Sequence, residues 1–110
     1  MELVSQDMNG VAIVRAAGTL DTASSALMRK CEHFAQPSRS VVFDMSGLTY
    51  LDSAGLGAIV TAVKSLKQAG HTMVLAAPSG AVRKVLTVTA IDKIVPVAET
   101  VEQGVSRLKA

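Results

Sequence analysis

Ser40 to Gly70 reads "SVVFDMSGLTYLDSAGLGAIVTAVKSLKQAG". Its start, Ser40 to Met45, is a short β-branched apolar run, as expected of a strand buried on both faces. Ser46 to Tyr50 is polar and glycine-containing and reads as a loop. From Ser53 to Ala69 the apolar positions are Leu56, Ile59, Val60, Val63 and Leu66. Those steps of three and four predict an amphipathic helix. Thr61, Lys64, Ser65 and Gln68 take its wet side, and Gly70 sits where a left-handed C′ residue belongs. Strand followed by helix is the repeating unit of an α/β layer.

The flanking sequence extends that unit both ways. Met8-Asn9-Gly10-Val11 places Asn-Gly between two apolar runs, a signal for a type I′ hairpin. Strands are expected at about Leu3 to Met8 and Val11 to Ala17, with Gly18 to Asp21 leaving the sheet. Asp21 or Thr22 can cap a first helix running to about Ala35, with Ala23, Leu27, Cys31 and Phe34 on one face. Gln36-Pro37-Ser38 stops it. Thr72 to Ala77 is another buried strand, ended by Pro78, and Ser79 can cap a short helix bearing Val82, Val85 and Leu86. Lys93 to Val97 is a candidate short strand that Pro96 confines to an edge. A last helix covers about Ala98 to Lys109, with Val101, Val105 and Leu108 on one face. A Thr100/Gln103 capping box would start it two residues later.

The expected fold is therefore a small mixed, mainly parallel sheet, entered by a hairpin, with about four flanking helices and right-handed crossovers. Residues 1–110 fit one domain. Apolar residues are 49% of the chain and only 3% are aromatic, so the core is aliphatic. Eleven Lys and Arg against nine Asp and Glu leave a net charge of +2 with no basic cluster. A nucleic-acid footprint is poorly supported. One cysteine, Cys31, permits no intrachain disulfide and fits a reduced cytoplasmic setting. The N-terminus lacks the basic and apolar regions of a signal peptide, and no membrane-spanning run is present.

Chemistry concentrates on Asp52-Ser53-Ala54-Gly55. Ser53 as a hydrolytic nucleophile would need Gly two residues earlier, where Leu51 stands, and a general base. The two histidines, His33 and His71, have no obvious orienting acid. Gly55-Leu56-Gly57 lacks the third glycine of a dinucleotide loop and there is no G-K-[ST], so small residues for close helix packing are the simpler explanation. One Cys and two isolated His give no metal-ligand cluster. Cys31 is most simply a core residue. What remains is a serine at a helix start. Asp52 or Ser53 can serve as N-cap, and the first turn also tolerates a phosphate, because its free N–H groups and dipole favour an anion.

"VVFDMSGLTYLDSAGLGAIVTAVKSLKQAG" resembles the signature of STAS domains, specifically the stand-alone bacterial anti-sigma factor antagonists. The match includes Asp44, Ser46, Gly47 and Asp52 to Leu56. "GTLD" (Gly18 to Asp21) is similar to the family's turn after the second strand, and Val85 to Val97 to its later helix and edge. The resemblance implies partner switching. The unphosphorylated antagonist binds an anti-sigma factor that is also a serine kinase of the histidine-kinase-like ATPase type, and so releases that kinase's target. Phosphorylation, here of Ser53, breaks the complex, and a PP2C-type phosphatase restores it. Asp21, Thr22, Asp52, Gly55 and Leu56 are the implied partner-binding residues, with Leu56 also a candidate core position and Asp21 a candidate cap. The domain is then a substrate and ligand rather than an enzyme, and needs no cofactor. Many such antagonists are acidic, whereas this chain has a sequence pI of about 8.9. Alternatives are a STAS subunit docking constitutively on the ATPase of a lipid-trafficking ABC transporter, and a stressosome-type scaffold subunit.

Overall fold

The computed structural model describes residues 1–109. Five strands stand in the order β1-β2-β3-β4-β5: β1 Glu2–Met8, β2 Val11–Leu20, β3 Val41–Leu51, β4 Met73–Ala76 and β5 Val97–Ala98. Only β1 is antiparallel to its neighbour. Asn9 and Gly10 both have positive φ, 57° and 83°, as a type I′ hairpin requires. Helices α1 Ser25–Lys30, α2 Glu32–Ala35, α3 Ser53–Gln68, α4 Gly80–Val88 and α5 Val101–Lys109 complete the fold. The mixed, mainly parallel α/β architecture is the expected one.

Strand alternation builds two cores. Val14, Leu20, Val41, Phe43, Met45 and Leu75 pack with α1 to α4 on one face. Val11, Ile13, Val42 and Ala76 pack with Val105 of α5 on the other. Gly104 lets α5 lie close, since a Cβ there would come 3.1 Å from Val42.

Four expectations need correction. The segments Gly18 to Leu20 and Ser46 to Tyr50 do not leave the sheet. They pair with each other, Gly18 with Leu48, Thr19 with Tyr50 and Leu20 with Leu51, through two register shifts. The Asp44 carboxylate accepts the Ser46 amide at 3.0 Å. A Cβ on Gly47 would stand 2.9 Å from the Ala16 carbonyl oxygen. A bulge therefore does locally what a loop would have done, and pairing resumes beyond it. The first helix is two, because Cys31 is extended (φ −64°, ψ 123°) between α1 and α2. The buried face also differs: Ser25, Met28 and Phe34 are inside, while Leu27 and Ala23, which precedes α1, are exposed. Lys93 to Val97 is not a strand. Ile91–Lys93 forms a 3-10 turn, and β5 is only Val97–Ala98, at the sheet edge as Pro96 implies. Finally, Ser65 is not wholly on the wet side of α3, for its hydroxyl donates to the Phe34 carbonyl at 2.6 Å.

The helix-end chemistry matches the sequence more closely. Gly70 is left-handed (φ 83°) after α3. Ser79 caps α4 through Val82 N–H. Thr100 Oγ1 accepts the Gln103 amide at 3.1 Å, so α5 takes the later of its two expected starts.

Candidate functional site

Parallel strands β2 and β3 end side by side, and the chain leaves both at the same place. The Asp52 amide donates to the Leu20 carbonyl at 3.3 Å. Asp21 and Ser53, one residue beyond each partner, therefore emerge together at the carboxyl end of the sheet, where α/β layers commonly carry their sites.

Asp52 is the N-cap of α3. Its backbone is extended (φ −111°, ψ −174°) and its Oδ1 accepts the Gly55 amide at 3.0 Å. Its carbonyl accepts the Leu56 amide at 2.9 Å. With the cap filled by Asp52, Ser53 is left as the first helical residue. It is exposed, and its hydroxyl makes no hydrogen bond among the described residues. The helix presents its positive end there.

Gly55 is buried because α3 starts against the end of β2. A Cβ at Gly55 would lie 2.4 Å from the Leu20 carbonyl oxygen and 2.8 Å from side-chain carbons of Leu20 and Leu51. Gly57, two residues on and about 200° round the helix, meets nothing within 4 Å. The close-packing explanation thus applies to the first of these glycines and not to the second. Leu56 is half-buried and packs on the larger core while keeping one side at the surface.

Asp21 and Ser24 hold each other. The Asp21 amide donates to Ser24 Oγ at 2.9 Å, and the Ser24 amide donates to Asp21 Oδ1 at 3.0 Å. The Ser24 hydroxyl also bonds the same carboxylate. These Ser24 bonds, its backbone amide first, lower the Asp21 pKa below the ordinary value of 3.8. Asp21 is accordingly an anion with a fixed direction. Thr22 is exposed, and its carbonyl, not its hydroxyl, is engaged, by Ser25 Oγ.

Ser24 was not among the expected site residues, although the D-x-x-S spacing of a reciprocal cap was a visible signal. Tyr50 and Leu27 were also missed. Each is a large residue left exposed, at 53% and 43%, in segments that adjoin the site. An irregular strand end gives no period from which the exposure of Tyr50 can be read, and the helical spacing of Ala23, Leu27, Cys31 and Phe34 points Leu27 inward.

Neither histidine stands near Ser53. His71 follows α3, a helix of sixteen residues, and so lies roughly 24 Å from its start. His33 neighbours Phe34, whose carbonyl is bonded to Ser65, twelve residues along α3 and roughly 18 Å away. No group of three His, Cys, Asp or Glu side chains suited to a metal occurs among the described residues.

The open α/β sheet thus carries an exposed serine at its carboxyl end. The STAS domain family model matches residues 3–104, and the chain belongs to that family. Among curated relatives, the anti-sigma F factor antagonist of Paenibacillus polymyxa is 26% identical over 119 residues, covering 99% of this chain and 96% of that one. A Thermotoga maritima structure assigned as an anti-sigma factor antagonist superposes with a TM-score of 0.90 at 22% identity, over 98% of this chain and 95% of that one. The anti-sigma factor antagonist SpoIIAA in its unphosphorylated form superposes with a TM-score of 0.72 at 19% identity, over 99% of each chain.

Proposed function

We propose that this protein is an anti-sigma factor antagonist that works by partner switching, with Ser53 as the phosphoacceptor. Family membership and the antagonist relatives support the general role. One observation carries the switch: the Ser53 hydroxyl is exposed and free of hydrogen bonds at the positive end of α3, with the cap already filled by Asp52.

The unphosphorylated chain docks through the surface around Ser53 on an anti-sigma factor that is a serine kinase of the histidine-kinase-like ATPase type, and the kinase's target is released. Asp21, Thr22, Asp52 and the exposed side of Leu56 flank the contact, and buried Gly55 shapes the turn that presents it. Within the complex, Ser53 Oγ attacks the γ-phosphorus of the kinase's ATP. The Oγ–P bond forms, the bond from γ-phosphorus to the ADP oxygen breaks, and the hydroxyl proton passes to a base on the kinase. This chain holds no histidine near enough to take that proton. It acts as substrate and ligand, and the catalytic groups belong to its partner.

The product carries a charge of about −1.5 to −2 beside Asp52. The domain tolerates it, because the free amides of the first turn and the helix dipole favour an anion. The docked partner does not, because burying an unpaired charge costs several kcal/mol. A PP2C-type phosphatase hydrolyses the phosphoserine and restores the docking surface.

The test is to incubate the protein with its cognate kinase and ATP and to map the phosphate by mass spectrometry. Phosphate on Ser53, and none on Ser53→Ala, is the expected result. An active kinase that leaves Ser53 unmodified overturns the proposal. Stable co-purification with a membrane ATPase, unaffected by Ser53→Ala, would point instead to a constitutive transporter subunit.

A further inference from the structure

Helices α1 and α2 do not close fully on α3. They leave a cavity of about 230 Å³. Met28, Phe34, Ala58 and Ala62 wall it and are buried, while Arg29 and Thr61 line it and are exposed, so it opens to solvent on their side. Two features of the chain create it. The backbone is extended at Cys31 (φ −64°, ψ 123°), so α2 does not continue the course of α1. Across from them α3 presents Ala58 and Ala62, one turn apart and too small to fill the gap. The Ser65 hydroxyl donates to the Phe34 carbonyl and ties α2 to α3 beside the opening.

The polar side chains around the cavity decide what it can hold. Thr61 and Ser65 have already given their hydroxyl protons, to the Gly57 carbonyl at 2.9 Å and the Phe34 carbonyl at 2.6 Å. Arg29 is the lining side chain with N–H groups to spare. One of its terminal nitrogens donates to Ser25 Oγ at 3.4 Å, and no ion pair engages the guanidinium among the described residues. No acid lines the cavity. A ligand therefore meets apolar walls and one uncompensated guanidinium, a group shaped to hold a carboxylate by two parallel hydrogen bonds. A cation would find no partner there.

We infer that this cavity binds a small amphipathic carboxylate, with the carboxylate on the Arg29 guanidinium and an aliphatic tail against Met28, Phe34, Ala58 and Ala62. An apolar cavity of this size takes apolar matter in preference to water. Its volume sets the tail length: at ~30 Å³ for a group the size of a water molecule, about 230 Å³ holds about seven carbons. The ligand class is thus the shorter fatty acids, smaller than the molecules that fill drug-sized pockets. The cavity begins more than one turn along α3 from Ser53, so the inference does not depend on the role given to that serine.

Titration of the full, isotope-labelled chain with octanoate, followed by amide NMR shifts, tests it. The amides of Met28, Phe34 and Ala62 should shift saturably, with a dissociation constant of about 0.1–1 mM. Octylammonium, which keeps the tail and reverses the charge, should bind at least ~tenfold more weakly, and so should acetate, which keeps the charge and lacks the tail. Arg29→Gln changes an exposed residue, so the chain still folds, and octanoate should weaken by at least ~tenfold. Ala62→Leu fills the cavity and should abolish the shifts, with a thermal melt confirming that this variant is folded. No saturation by ~10 mM octanoate overturns the inference. So do equal affinities for octanoate and octylammonium, an octanoate affinity that Arg29→Gln leaves unchanged, or shifts confined to residues outside α1, α2 and α3.

Discussion

The amide of Asp52 donates to the carbonyl of Leu20, and this 3.3 Å bond ties the end of β3 to the end of β2. The same carbonyl is what a side chain at Gly55 would strike. The start of α3, and with it the direction of Ser53, is fixed by this backbone bond, by the Asp52 side-chain cap and by the close approach of Gly55 to Leu20 and Leu51.

Gly55→Ala is therefore expected to be costly. The added Cβ would sit 2.4 Å from the Leu20 oxygen. Relief requires α3 to lift from the sheet, at about 2–3 kcal/mol. Gly57→Ala adds its Cβ to open space inside the same helix and should stabilise by about 0.5–1 kcal/mol. Urea denaturation of both variants checks the pair. Equal effects would contradict the packing of α3 against Leu20.

Asp52→Ala removes the side-chain acceptor of the Gly55 amide and should destabilise by about 1 kcal/mol, whereas Asp52→Asn keeps the cap and should cost less. Thermal melts of the two variants separate capping from charge. Comparable losses would show that the carboxylate acts through its charge.

The lowered pKa of Asp21 links stability to acid. Its folded value lies below the ordinary 3.8, with the Ser24 amide as the first cause. A depressed carboxylate contributes stability that is fully present above the unfolded pKa and is lost as pH falls through the folded one. Asp21→Asn should therefore flatten the fall in stability below pH 3.8 and leave its slope near neutral pH unchanged. Denaturant midpoints across that acid range provide the measurement. An acid limb as steep as in the wild type would contradict the Ser24 contacts.

Ala90 closes α4 in the left-handed region at φ 61°. A side chain there is strained, and glycine is the residue that fits. Ala90→Gly is expected to stabilise by about 0.5 kcal/mol after its own entropy cost. A loss of stability by calorimetry would contradict that backbone geometry.

The elements most legible in the sequence are those whose determinants are local. The Asn9-Gly10 hairpin, the periodic body of α3, Gly70 after it and the Ser79 and Thr100 caps all depend on neighbours within a few residues. The far ends of β2 and β3 do not. Gly18, Ser46 and Gly47 carry loop signals, and only pairing between the two strands turns those signals into bulges. Large apolar residues marked the side of α3 that faces the core, but that buried side also includes Gly55, Ala58 and Ala62, all small. Asp52 and Ser53 could be named from spacing, whereas their division of labour could not. That Asp52 caps and Ser53 stays free follows from the extended backbone at Asp52, which the sequence permits at either residue.

The binding affinity of the cognate kinase for two forms of this chain, one with unmodified Ser53 and one with phosphoserine installed at 53, bears most directly on partner switching. A buried, unpaired dianion costs several kcal/mol, so the phosphorylated form should bind at least ~100-fold more weakly. Affinities equal within about twofold would show that charge at the tip of α3 does not govern the contact.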